Sequence, residues 1–210
     1  EKTRAERQVI ARGTGVRGEP VFDVSQKHSA FILQEGEREW LWVDGKKGLS
    51  GDAVAGLSFS PAGSLVACVV AEGDELTYHV GDNHFGPYQR GTAVRFLEKD
   101  HWVATVMTDD GSCLLVDGDM VCAEEGREIL KDSVVGGLEA LSWLESGEQG
   151  VVVAVRSLRG DVRRSMFLSW TVIKGPEATP RWEEGRWSMV VQTGTSLQRV
   201  TWGPWPMMEP

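Results

Sequence analysis

Long apolar runs are missing from this 210-residue chain. None reaches the roughly 18–20 residues that a membrane-spanning helix needs, so no membrane span is expected. Basic stripes are missing as well. Lys and Arg number 22 against 31 Asp and Glu, a formal net charge of −9. A surface of that sign repels phosphate backbones, which argues against a nucleic-acid partner. Proline is scarce at 8, while glycine reaches 25. Many glycines without long helical patterns favour a turn-rich β protein. Cysteine is limited to three residues, with no Cys-x-x-Cys pair, so no structural zinc site and no metal cofactor are expected. The first residue is Glu1 rather than Met. A natural start upstream, with any signal peptide or anchor it carries, is therefore expected.

What is present begins with an ordinary apolar share of 41%, too high for a disordered chain. The length allows one large or two small domains with a sizeable core. It also holds a repeat. Ala30, Ala67 and Ala104 lie 37 apart, as do Phe22, Phe59 and Phe96. Val43 and Val80 keep that step, and Val116 follows after 36. Gly36 and Gly73 agree, with Asp110-Gly111 next. Each unit reads as an aromatic in a first strand, a turn, a small residue in a second apolar strand, a polar turn, and a third strand ending in Val before a tight turn.

Insertions blur the fourth unit. Trp143 is placed in its first strand, 47 after Phe96, "GVVVAVRSL" in its second and "SMFLSWTVIKG" in its third. The extra residues fall in "CAEEGREILKD", expected as a short helical turn. A fifth, shortened unit is "RWSMVVQTGTSLQRVTWG". Even strand spacing at about 40 residues per unit marks a β-propeller. The expected fold is all-β, a small propeller of about five blades. An open propeller fragment completed by a second chain is the alternative. The expected boundaries are 1–20 for an N-terminal segment, 21–56 for blade 1, 57–93 for blade 2, 94–138 for blade 3 with its insertion, 139–185 for blade 4 and 186–210 for a short blade 5. "RQVIARG" (Arg7 to Gly13) is expected as a ring-closing strand beside "LQRVTWG", since closure removes exposed edges.

"FSPAG" (Phe59 to Gly63) followed by "LVACVV" resembles the F-S-P-D-G … L-A-Y-V unit of TolB-type, WD-like propeller repeats. "WLWVDGKKG" and "LLVDGD" are similar to the V-V-D-G-K turn of the same repeats. The resemblance covers roughly residues 21–175. Ala62 stands where the family has Asp, the fourth unit lacks the turn motif, and no Trp-Asp dipeptide occurs. It implies a fold rather than an activity, because such repeats serve scaffolds, periplasmic interaction proteins and the non-catalytic halves of peptidases.

Cys113 and Cys122 are the informative cysteines. If Asp117-Gly118 is a two-residue hairpin turn, Cys113 faces Cys122 at a closely spaced, non-hydrogen-bonded position. Two readings stay open: a disulfide, pointing to an extracytoplasmic, oxidising compartment, or two reduced thiols in the cytoplasm. Cys68 reads as a small core residue.

Nothing in the sequence supports catalysis. "GTGVRG" (Gly13 to Gly18) matches G-x-G-x-x-G, but "EPVFDVS" follows instead of a helix, so it reads as a flexible connection. His28, His79, His84 and His101 show no ligand spacing. Ser60 and Ser64 belong to a turn, and no Gly-x-Ser-x-Gly elbow exists. The stronger signal is charge in the loops between second and third strands. The first three carry Glu35, Glu37, Glu39, Glu72, Asp74, Glu75, Asp109 and Asp110, against Arg38 alone. The loop assigned to the fourth unit is basic, with Arg156, Arg159, Arg163 and Arg164. A largely acidic face with one basic sector is expected, fit for a basic or charge-asymmetric protein partner. Nine tryptophans add a candidate aromatic patch at Trp202 and Trp205, while Trp40 and Trp42 share one strand face. The expected function is a non-catalytic protein-interaction scaffold. The alternatives are a carbohydrate-binding propeller or the non-catalytic domain of a larger hydrolase.

Overall fold

The computed structural model describes residues 15–130, 133–136, 140–148, 150–157, 160–167, 171–172, 181–183, 186–193 and 195–202. Within these residues the only helix is a three-residue 3-10 turn, Glu98–Asp100, and the strands form five antiparallel sheets. The chain is all-β and built from consecutive propeller-type blades. It divides into two compact units, 1–102 and 103–210.

The N-terminal unit contains two complete blades. In the first, β1 (Gly15–Phe22), β2 (Ser29–Glu35), β3 (Arg38–Val43) and β4 (Lys46–Gly51) pair in chain order. In the second, β5 (Ala53–Phe59), β6 (Val66–Glu72), β7 (Glu75–Val80) and β8 (Asn83–Tyr88) do the same. The short β9 (Arg90–Gly91) and β10 (Arg95–Phe96) follow. Between the two blades lie Ala30, Ile32 and Leu41 from the first and Val54, Cys68 and Val70 from the second, all buried. Phe59 packs against this cluster from the side, whereas its repeat equivalent Phe22 is 53% exposed. The small Ala at the repeat position is fully buried in both blades. Close approach of the connecting backbone needs Gly51: a Cβ there would sit 2.5 Å from Val70 Cγ1 and 2.7 Å from the Ala71 carbonyl oxygen.

The repeat is carried by its turns. Gln26, Gly63 and Asp100 occupy the same position of three successive units, and all three have positive φ, at 57°, 74° and 64°. Asp23 and Ser60 are likewise equivalent and buried. The Asp23 carboxylate accepts from the His28 N–H at 2.8 Å, and the Ser60 hydroxyl from the Leu65 N–H at 3.2 Å. In these two turns an oxygen-bearing side chain caps the N–H five residues on, whereas Leu97 stands at the equivalent place in the third unit. Before the fourth strand, Asp44, Gly81 and Asp117 all have positive φ, the geometry that two-residue hairpins require.

In the C-terminal unit, β11 (Trp102–Thr108, starting at the boundary), β12 (Gly111–Val116) and β13 (Asp119–Cys122) pair in order. The next blade contains β14 (Arg127–Ile129), β15 (Val135–Gly136), β16 (Ala140–Gly147), β17 (Gly150–Ser157) and β18 (Val162–Phe167). Here β14 and β15 pair with opposite ends of β16 and together form a split first strand. Ser133 bridges the gap, its hydroxyl accepting from the Leu144 N–H at 3.0 Å. The last blade has β19 (Thr171–Val172) and β20 (Arg181–Glu183) on one side of β21 (Arg186–Thr193) and β22 (Ser196–Trp202) on the other.

Several expectations are corrected. The described part of "CAEEGREILKD", residues 122–130, makes the end of β13, a turn and β14 rather than a helical turn. Trp143 therefore lies in a second strand, 39 residues after Ala104, and Gly150–Ser157 of "GVVVAVRSL" form a third strand. The split of the first strand hid it from the repeat. Gly15–Gly18 of "GTGVRG" belong to β1 and are not a flexible connection. Sheets also begin earlier than expected, at Gly15, Ala53 and Arg127. The expected ring-closing segment Arg7 to Gly13 lies outside the described residues.

Candidate functional site

In a four-stranded meander the loop between second and third strands shares its sheet edge with the connections between blades. Chain direction reverses at every strand, so these segments alternate with the other turns. In the N-terminal unit this edge carries Glu35, Glu37 and Glu39 of the first blade, and Glu72, Asp74 and Glu75 of the second. The turns are two residues long, Gly36-Glu37 and Gly73-Asp74, with the glycine at positive φ in each.

The acids divide into two groups. Glu35 pairs with Lys47, whose ammonium also lies 3.7 Å over the Trp40 ring. Glu72 pairs with Arg38, and the Glu72 hydrogen bond raises the Arg38 pKa further. Glu39 accepts from the Val54 N–H at 2.8 Å and has Arg17 at 3.7 Å. These three carboxylates tie blade to blade or strand to strand. Glu37 and Asp74 are exposed in the turns, and Glu75 is exposed at the start of β7.

Asp52 was missed by the sequence reading. It accepts from the Gly73 N–H at 2.8 Å and lies 3.9 Å from Arg38. Its position in a blade-to-blade connection concealed it, although strand parity places that connection on the same edge. In the C-terminal unit, Asp109 and Asp110 are exposed in the turn between β11 and β12. The corresponding loop of the next blade joins Gly147 to Gly150 and carries an exposed Glu148.

The basic sector is not in that class of loop. Arg156 to Ser165 joins third and fourth strands, at the opposite edge of its own sheet, because Trp143 belongs to the second strand. Two of its arginines also point inward. Arg156 meets Asp119 at 2.9 Å and has only 12% of its side chain exposed. Arg164 donates through Nε to both oxygens of Glu145, at 3.0 and 3.1 Å, and through Nη2 to the Cys122 carbonyl at 2.8 Å. Glu145 is fully buried and also accepts from the Trp143 indole N–H at 2.9 Å. Arg163 is exposed, and Arg159 lies outside the described residues. Trp202 ends β22, and Trp205 lies outside the described residues.

A disulfide joins Cys113 and Cys122, which face each other across β12 and β13 with Cα atoms 3.8 Å apart. Cys68 is buried, and burial pushes its thiol pKa up to about 12, so it stays an unreactive thiol. Asp23 is held down to about 2, chiefly by the Ser25 hydroxyl and then by the His28 N–H. A depressed carboxyl stabilises the fold above its unfolded value near 3.9, and that stabilisation is lost as pH falls through about 2. His28 is raised by its hydrogen bond to Asp44 at 2.7 Å. That contact has the opposite sense: it is complete below about pH 6.5 and is lost as pH rises through the raised value. His79 and His84 are cross-strand partners with ring centroids 6.1 Å apart; burial, then His84, lowers His79. No three His, Cys, Asp or Glu side chains converge among the described residues to hold a metal. None of their helices is long and apolar enough to cross a membrane.

No protein-family model and no curated protein matches the chain. Solved structures do. The chain is similar in fold to TolB from Acinetobacter baumannii, at 12% identity and a TM-score of 0.41, over 83% of this chain and 51% of that one. It is also similar to the dihydro-heme d1 dehydrogenase NirN in complex with DHE, at 15% identity and a TM-score of 0.48, over 89% and 45%. A third is the β-propeller domain of the Trilobed protease from Pyrococcus furiosus, at 12% identity and a TM-score of 0.32, over 88% and 81%. The chain spans about half the length of the first two.

Proposed function

We propose that this chain is a non-catalytic β-propeller module that binds a basic protein segment at its acidic loop edge. The observation that carries this reading is the division of the acids in the N-terminal unit. The local cations Arg17, Arg38 and Lys47 are engaged by Glu39, Glu72 and Glu35, which leaves Glu37, Asp74 and Glu75 as exposed negative charge in or beside adjacent turns. Such a field steers a cationic partner and raises its association rate. The disulfide supports an extracytoplasmic setting.

The test is titration of a labelled Arg/Lys-rich peptide followed by anisotropy. Binding that weakens at least about tenfold between 50 and 200 mM salt, and again in a Glu37→Lys/Asp74→Lys/Glu75→Lys variant, is expected from charge-driven association. Affinity unchanged by both treatments, or a response to oligosaccharides in place of the peptide, overturns the reading.

A further inference from the structure

The two cysteines of the bridge differ in access. Cys113 is fully buried, while Cys122 is only partly so and lies on β13, a four-residue edge strand. Thr108 Oγ1 lies 3.6 Å from Cys113 Sγ, where a hydroxyl can donate to a departing thiolate. The Cys122 carbonyl, in turn, holds Nη2 of Arg164, whose Nε holds the buried Glu145. The Glu124 N–H, two residues beyond the bridge, also points to Glu145, at 3.4 Å. One covalent bond thus fixes the strand that supplies part of the cage around a buried carboxylate.

We propose that Cys113–Cys122 is a thiol-exchange site, a reducible clasp that a dithiol opens at Cys122 and whose opening loosens the Glu145–Arg164 pair. The thiolate of the dithiol attacks Cys122 Sγ. A mixed disulfide forms, the S–S bond breaks, and Cys113 leaves as a thiolate that takes up a proton. The second thiol of the reductant then attacks its own sulfur in the mixed disulfide and releases Cys122, which is protonated in turn. The protein gains two electrons and two protons, and the reductant departs as a cyclic disulfide. Regiochemistry follows from access and from the Thr108 hydroxyl beside the leaving sulfur. Freed of its bridge, β13 is held by its four-residue ladder, the Ala123 N–H bond to the Ser112 carbonyl and the Asp119–Arg156 pair at its far end, and the Cys122 carbonyl loses its covalent anchor beside Arg164.

The experiment treats the full-length oxidised protein with dithiothreitol under native conditions, alkylates the thiols and reads hydrogen exchange by mass spectrometry. Two thiols beyond Cys68 should be labelled, and peptides covering Asp119–Cys122 and Glu145 should exchange at least about tenfold faster while β2 and β6 stay unchanged. Glutathione, which forms a trappable mixed disulfide, should be found on Cys122. A Cys113→Ser/Cys122→Ser variant should show the exchange pattern of the reduced protein without any reductant. Thr108→Val should slow opening several-fold and Thr108→Ser should restore it. Reduction that leaves exchange at Glu145 unchanged, an adduct on Cys113, or thiols that form only on global unfolding each overturn the proposal.

Discussion

Two arginine–carboxylate pairs in this molecule have the same chemistry and opposite surroundings. Arg38 and Glu72 meet between the first two blades with 43% and 52% of their side chains exposed. Arg164 and Glu145 meet in the fourth blade with 23% and 0% exposed. In the first, water screens the attraction and solvates either partner when the other is removed. In the second, the carboxylate has left water entirely and depends on one guanidinium, one indole N–H and nearby backbone. A charge in that position is tolerated only while every partner stays in place. The first pair is therefore an adjustable surface tie, and the second is a structural centre that fixes Trp143, β13 and β18 together.

The comparison predicts unequal penalties. Arg164→Met should destabilise the fold by about 3–5 kcal/mol in urea unfolding, because it strands a buried carboxylate. Replacing both partners, as Glu145→Leu/Arg164→Met, should recover most of that loss. If the double variant is as unstable as the single one, desolvated charge is not the cause. Next comes a backbone effect. Gly63→Ala should cost about 1–2 kcal/mol, since φ is positive there and the new Cβ would lie 2.9 Å from Asp23 Oδ2. Unchanged stability in this variant would show that the turn relaxes freely. The smallest effect belongs to the exposed pair: Arg38→Met should leave the thermal midpoint nearly unchanged at low salt and indistinguishable from the parent at 1 M salt. A large, salt-independent drop would erase the contrast between the two pairs.

Legibility followed the regularity of the chain. The 37-residue step located the first three units because each of their turns needs a residue of defined conformation at a fixed place, whether Gly63 or, less readily, Gln26 and Asp100. The Cys113–Cys122 register followed from one hairpin turn, Asp117-Gly118. The fourth blade was displaced by one strand because its first strand is divided around Ser133, and neither short piece has a readable alternation. That displacement moved the arginine loop to the wrong sheet edge. Two of its arginines look like surface charge in the sequence, although one of them closes the cage around Glu145.

Sequence by itself determined that the chain forms short antiparallel sheets in succession, since period-two patterning and turn chemistry act over a few residues and need no distant partner. It also determined which loops are acidic. Tertiary structure alone decided which charges stay in solvent. Glu72 and Glu145 are indistinguishable as letters; only the packing of neighbouring strands decides that one pairs in water and the other must be caged. Charge energetics depend on the dielectric surroundings that folding creates, and no local pattern encodes them.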